Sequence, residues 1–165
     1  MDLRDDDKKI MSIDVKTNRF FIEQTERLLR SFKHWTGRDL IAPADASNRS
    51  AEELFHAPCA VVSHGTEPDP ILNYGNQIAL ALWEMPWETF TQTPSRLTAE
   101  PVSREERARL LEEVTREGFI DRYKGIRISR SGRRFLIEQA LVWNLLDGEG
   151  KYCGQAATFS RWRYL

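Results

Sequence analysis

Cysteine is scarce in this chain of 165 residues: Cys59 and Cys153 are its whole complement. They show no C-x-x-C spacing, so neither a thiolate metal site nor a dithiol redox motif is written here. Two such thiols suit a reducing compartment, where each serves as a small apolar strand residue. Histidine is nearly as rare, with His34, His56 and His64 all lying upstream of the central helical stretch. No H-E-x-x-H, Walker A, G-x-G-x-x-G or G-x-S-x-G arrangement ties them to a catalytic partner. An excess of charge is missing too. With 24 basic and 25 acidic residues the formal net charge is -1, which gives no electrostatic footprint for nucleic acid and no polybasic patch for a membrane. Long apolar runs are absent: nothing approaches the roughly 20 residues of a membrane span, and residues 1–9 hold no apolar core of signal-peptide length. The expectation is a cytoplasmic protein with small-molecule or protein partners, whose residues 1–16 form a disordered, charged leader.

What is present is β structure in the last quarter. Residues 123–129, 134–146 and 152–159 are rich in Ile, Val, Trp, Tyr and Phe and are split by Gly-bearing turns, the pattern of a three-stranded antiparallel meander. Along 134–146 a period of two groups Phe135, Ile137, Gln139, Leu141, Trp143 and Leu145, an uncharged set expected to face the core. Gln139 then needs a hydrogen-bond partner, and Gln155 on the next strand can supply it. The two amides read either as satisfied core groups or as the polar floor of a ligand pocket.

Upstream segments read as the cover for that sheet. Between Asn18 and Trp35, Phe21, Thr25, Leu28, Phe32 and Trp35 recur every three or four residues, one apolar stripe of an amphipathic helix that Gly37 ends. Two readings of the stripe stand: it packs on its own domain, or it is a dimer interface formed by Phe21, Leu28, Phe32 and Trp35 of two copies. Ser50 is placed as the N-cap of a short helical turn to Phe55. Residues 59–63 and 71–74 are two strands joined by a Pro-bounded turn. Asn76 caps a helix with Ile78, Ala81, Leu82 and Met85 on one face, residues 87–90 make a further turn, and residues 93–101 run extended. Ser103 and Glu106 form a capping box, opening a helix that buries Leu110, Leu111 and Val114 and stops at Gly118. The length suits a core that needs no staple.

This order, helix, two strands, two or three helices, three strands, is that of a PAS-type domain. Five blocks sharpen the likeness: LNYGNQIALALWEM at 72–85, PSRLTAE at 94–100, GIRIS at 125–129, VWNL at 142–145 and GQAATF at 154–159. Together they resemble the MEKHLA family, whose members include small bacterial proteins and the C-terminal modules of plant homeodomain-leucine zipper regulators. The resemblance covers roughly residues 58–162. It implies an α+β, PAS-like fold: a five-stranded antiparallel sheet in the order 2-1-5-4-3, helices on one face, and here an N-terminal helical extension over 17–57 before a domain at 58–165. It also implies a sensory or regulatory role. DNA binding does not carry over, because no basic helix precedes a heptad zipper. No output domain is visible, so a signal is expected to leave through a protein contact or a change of oligomeric state.

PAS cavities lie between sheet and helices. On that likeness Trp143, Gln139, Gln155 and Phe159 are assigned to the sheet side of a pocket, with Trp83, Trp87 and Phe90 as its roof; the alternative is that these rings fill a solid core. Haem is disfavoured because no histidine falls on the helical cover, while a non-covalent flavin or another aromatic small molecule stays open. Antiparallel pairing of the first and fifth strands sets Cys59 and Cys153 too far apart for a disulfide. The leading reading is a non-enzymatic sensor that binds a small apolar or aromatic ligand and forms a homodimer. A ligand-free interaction module is the second and a small enzyme the third. The Arg127, Arg130, Arg133 and Arg134 cluster reads as a solvated hairpin tip.

Overall fold

Asn18 caps the first helix. In the computed structural model, which describes Val15 and residues 17–165, its side-chain oxygen accepts from the N–H groups of Phe20 (3.0 Å) and Phe21 (3.4 Å), two of the donors that every helix start leaves bare. This helix, α1, runs Arg19–Thr36 and ends where Gly37 takes φ 72° and its N–H bonds the Lys33 carbonyl. The leader expected over 1–16 lies, Val15 apart, outside the described residues. A second helix, α2 (Ser47–Phe55), starts ahead of the expected Ser50 cap, at Ala46 and with no side-chain cap.

Strands β1 (Ala60–His64) and β2 (Leu72–Gly75) lead to α3 (Gln77–Trp83) and α4 (Trp87–Phe90). Asn76 caps α3 as expected, accepting from Ala79 N at 3.2 Å, and the same oxygen takes the Val61 N–H at 3.0 Å, which pins the helix to β1. The buried face of α3 is Ala79, Leu80, Leu82 and Trp83; Ile78 is half-buried and Ala81 exposed, because that cap rotates the short helix relative to the expected stripe. Residues expected to be extended contain a 3-10 turn, Ser95–Thr98. Helix α5 spans Pro101–Glu117 with Glu100 at its N-cap, so the Ser103 and Glu106 pair lies inside the helix; proline at its first turn, where no N–H is required, moves the start upstream.

Strands β3 (Phe119–Ile128), β4 (Arg134–Leu146) and β5 (Tyr152–Phe159) follow, and the sheet has the order β2-β1-β5-β4-β3. A sixth strand, β6 (Arg161–Tyr164), is an addition. Its register on β4, Ile137 opposite Trp162, continues the β5 register, Trp143 opposite Ala156, so β5 and β6 are one line of pairing interrupted at Ser160. In the β1–β5 pair Ala60 lies opposite Phe159 and His64 opposite Gln155, which puts Cys59 and Cys153 at opposite ends; both thiols are free.

The sheet is covered on both faces. Helices α3 to α5 lie on what we call the front, and α1 with α2 lies on the back. Phe32 meets Trp143 edge to face at 5.2 Å, Phe21 meets Phe55 at 5.7 Å, and Gln24 Nε2 donates to Ser63 Oγ at 3.0 Å. Phe21, Leu28 and Phe32 are at most 5% exposed. Burial of each contributes roughly 1.5–3 kcal/mol. The stripe of α1 therefore packs on its own sheet, which corrects the reading of Phe21, Leu28 and Phe32 as a dimer face; Trp35 is half-buried and gives its Nε1 to the Asn144 carbonyl at 2.9 Å.

The period of two along β4 does not hold. Gln139 sits at φ 52° and Arg122 on β3 at φ 56°. Around them Glu138 and Gln139 oppose Lys124 alone, and Asp121 with Arg122 opposes Leu141, a pair of compensating bulges. The first reverses the facing of everything after it. Phe135 and Ile137 look to the front, but beyond the bulge the front residues are Val142 and Asn144, while Leu141, Trp143 and Leu145 look to the back. Gln139 itself is exposed.

Candidate functional site

Between the front face and helices α3 to α5 lies a cavity, walled by Val62, Ile137, Val142 and Ala157 from the sheet and by Leu111 and Val114 from α5. Its free volume is about 70 Å³, counted by the centres of water-sized spheres, several times the ~10–15 Å³ that one water needs. Of the residues assigned to a pocket from the sequence, Trp83, Phe90, Gln155 and Phe159 line it. Trp83 packs edge to face on Phe135 at 5.3 Å and on Phe159 at 6.1 Å, and its Nε1 donates to the Thr98 carbonyl at 3.4 Å.

Three assigned residues lie elsewhere. Trp143, on the back face after the bulge, is fully buried against Phe32. Trp87 lies at the other side of the one-turn helix α4 from Phe90 and packs on Phe21 at 4.4 Å and Tyr74 at 6.0 Å. Gln139 is exposed on its bulge, so it makes no pair with Gln155. That partner is instead Asn144, directly opposite on β4: Gln155 Nε2 donates to Asn144 Oδ1 (3.1 Å), the Leu111 carbonyl (2.9 Å) and Thr115 Oγ1 (3.0 Å). Asn144 Nδ2 in turn donates to the Val114 carbonyl at 2.8 Å. Two amides thus tie α5 to the sheet, and one of them, Gln155, lines the cavity.

Further polar residues in the wall escape the sequence reading. His64, 7% exposed, has Nδ1 2.8 Å from the Gly65 carbonyl, so Nδ1 carries the proton, while Nε2 has no hydrogen-bond partner. Burial pushes its pKa down, the Gly65 carbonyl pulls it back, and the Arg107 charge lowers it further. Arg107 of α5 donates to Ser95 Oγ; burial, then the positive charge of Arg127, lowers its pKa to about 10. Arg127 of β3 donates to Tyr123 Oη at 2.8 Å and to the Ile126 carbonyl at 2.9 Å, with its guanidinium carbon 5.3 Å from the Tyr123 ring centre. Gly125 makes that fold-back feasible, since a Cβ there would stand 2.4 Å from Tyr123 Oη. Strand alternation groups Tyr123 and Arg127, but the apolar Ile126 and Ile128 between and after them point a sequence reader to the opposite face.

The hairpin-tip cluster divides accordingly. Arg127 turns inward, Arg134 pairs with Glu100, Arg133 stacks on Tyr164 with 3.3 Å to the ring centre, and Arg130 is exposed. Glu84 closes the tip by accepting from Ser129 Oγ, Ser131 Oγ and the Ser131 N–H, bonds that hold its carboxyl below the usual range.

Of the three histidines and two cysteines, only His64 reaches the cavity. His34 stacks on Trp35 and His56 bonds Gln77. Among the described residues no group of three or more His, Cys, Asp or Glu is placed to hold a metal ion, and no helix is long and apolar enough to cross a membrane.

Known proteins bear on this geometry in two ways. The model of the MEKHLA domain family matches residues 22–164, reaching back into α1. Homeobox-leucine zipper protein HOX29 of Oryza sativa subsp. indica is 24% identical over 126 residues, 74% of this chain. The aligned stretch is 15% of the rice protein's length. Among solved structures, the PAS domain of a Colwellia psychrerythraea protein superposes with a TM-score of 0.60 at 14% identity, covering 71% of this chain and 94% of that one. A light-oxygen-voltage domain studied with a flavin analogue gives 0.56 at 17% identity, covering 73% and 86%. At these identities the likeness is one of fold: an α+β PAS fold.

Proposed function

The chain belongs to the MEKHLA domain family, and on that premise we propose that it is a non-catalytic sensory or regulatory module whose signal is a small molecule held between the sheet and α3 to α5. One observation carries this reading: the cavity is walled largely by apolar side chains yet ends in the buried polar groups of His64, Gln155 and Arg127 and the half-buried Arg107. Such a lining suits a ligand with an apolar body and a fixed polar end. The volume favours a molecule smaller than a three-ring flavin, and neither cysteine lines the cavity. An enzyme needs a base beside a nucleophile or acid; His64 is bonded to the Gly65 carbonyl and feels the Gln155 amide, the Arg107 guanidinium and, most weakly, the Glu67 carboxylate, and Glu67 does not line the cavity.

An output route follows from Asn144. Its side chain holds α5 on the front, its N–H bonds the Gly118 carbonyl at 2.8 Å, and its own carbonyl accepts from Trp35 Nε1 of α1 at 2.9 Å. A ligand that shifts α5 therefore acts on α1, where a protein partner can read it.

The test is native against denatured mass of freshly purified protein, run alongside Ala157→Leu, whose larger side chain fills the cavity. Extra mass that leaves on denaturation, and is missing from a folded Ala157→Leu, supports the reading. A bare chain in both, or extra mass that the filled variant keeps, counts against it.

A further inference from the structure

Arg107 and Arg127 face one cavity, and no aspartate or glutamate lines it. Neither guanidinium makes an ion pair among the described residues. The nearest acidic influence on Arg107 comes from Asp69, which is already paired with Arg96 at 3.2 Å. Arg127 is only 7% exposed. Its two hydrogen bonds, to Tyr123 Oη and the Ile126 carbonyl, go to neutral oxygens, and the Tyr123 ring 5.3 Å away supplies a quadrupole but no counter-charge. A guanidinium cannot shed its proton as a buried lysine can. Taking an unpaired charge out of water is strongly unfavourable, and a second like charge nearby adds to the cost.

A second observation comes from a different strand. His64 is equally buried and its Nε2 has no hydrogen-bond partner. Gln155 is the side chain it meets, and a bond between them favours the protonated imidazole; with its NH₂ group engaged by the Leu111 carbonyl, Thr115 and Asn144, Gln155 offers the neutral ring no donor. A polar atom left bare in the wall says that the occupant is not pure hydrocarbon. Apart from Ser63, Ser95, Thr98 and Gln155, the remaining wall is aliphatic and aromatic. Positive charge in duplicate at one side and an apolar body elsewhere describe a complementary molecule.

We infer that the cavity takes a small organic acid, its carboxylate seated on Arg107 and Arg127 and its apolar body against Val142, Ala157 and Trp83. This rests on the reading of the cavity as a ligand site. The planar guanidinium fork matches a carboxylate, and the charge-assisted bonds supply the compensation that the apo cavity lacks.

The test uses the full chain with two pairs of probes matched in shape, acetate with acetamide and benzoate with benzamide, at matched ionic strength. At least one acid raises the thermal midpoint and its amide does not. Arg127→Met weakens binding of that acid about ten- to hundredfold while the ligand-free variant, relieved of an unpaired buried charge, is at least as stable as the parent. Arg107→Met weakens binding in the same way and serves as a second, independent variant. Equal shifts with acid and amide, or an acid shift that survives both substitutions, overturn the inference. If neither acid shifts the midpoint while native mass reveals a retained uncharged molecule, the anion assignment fails and the ligand cavity stands. If the native mass is bare as well, both fall.

Discussion

Gln155 and Asn144 stand directly opposite each other on β5 and β4, joined by a 3.1 Å side-chain hydrogen bond, and both reach the C-terminal turns of α5. Neither amide faces water: they are 2% and 5% exposed. Removing either breaks the bond they share, and losing Gln155 leaves Asn144 Oδ1 without a donor in an apolar place, at about 1–3 kcal/mol. Gln155→Leu and Asn144→Leu are each expected to lower the urea midpoint by that order. Because the bond they share is lost in either single variant, the double variant is expected to cost less than the two costs added. Strict additivity contradicts a shared network.

Trp143 is a back-face core residue, and its substitution separates packing from binding. Trp143→Ala removes the ring that Phe32 packs on and is expected to cost roughly 3–5 kcal/mol. On the proposed function, a variant that still folds is expected to retain any small molecule that the parent retains, because a sheet lies between this ring and the cavity. Trp83→Ala is expected to lose retention. Urea unfolding and native mass on the same samples check both statements, and a folded Trp143→Ala that releases ligand contradicts the placement.

His64 makes stability depend on pH with a definite sign. Burial, aided by Arg107, lowers its folded-state pKa from 6.5. As pH falls through about 6.5, the unfolded chain takes up a proton that the folded chain still refuses, so the unfolded state binds more protons and stability drops. The contribution is whole above that value and is lost as pH falls toward the folded pKa. The urea midpoint is therefore expected to be lower at about pH 5.5 than at about pH 7.5, with a smaller difference in His64→Gln. An unchanged difference in the variant contradicts the assignment.

Helix α1 is part of the folded unit. Deleting residues 1–36 strips Phe21, Leu28 and Phe32 from the sheet and bares Trp143 and Leu145, an apolar patch that promotes association. Light scattering is expected to find aggregates or poor solubility. A monodisperse, cooperatively folding remainder contradicts the packing described.

The sequence carried most of the architecture because its punctuation is local. Asn18, Gly37 and Asn76 act within a turn of the residues they cap, and the ends of β4 and β5 coincide with the runs read from composition. The site was less legible because it depends on a bulge. Gln139, placed on the pocket floor by strict alternation, takes the left-handed conformation and turns Trp143 to the back. A one-residue irregularity leaves no mark in hydrophobic periodicity. Strand β6 was missed because Arg161 and Arg163 alternate with Trp162 and Tyr164 too briefly to stand out. The inward arginines were missed because a charged side chain is by default assigned to solvent, and only the fold shows what Arg127 folds back upon.

The central claim is that ligand occupies the front cavity beside Trp83 and not the back face beside Trp143. Indole N–H resonances of protein labelled with 15N at its five tryptophans, recorded during titration with benzoate, test it most directly. The Trp83 signal, from an N–H now held on the Thr98 carbonyl, is expected to move with saturation while that of Trp143 stays. Movement of Trp143 without Trp83 contradicts the placement, and no movement with either benzoate or acetate contradicts the seating of an acid there.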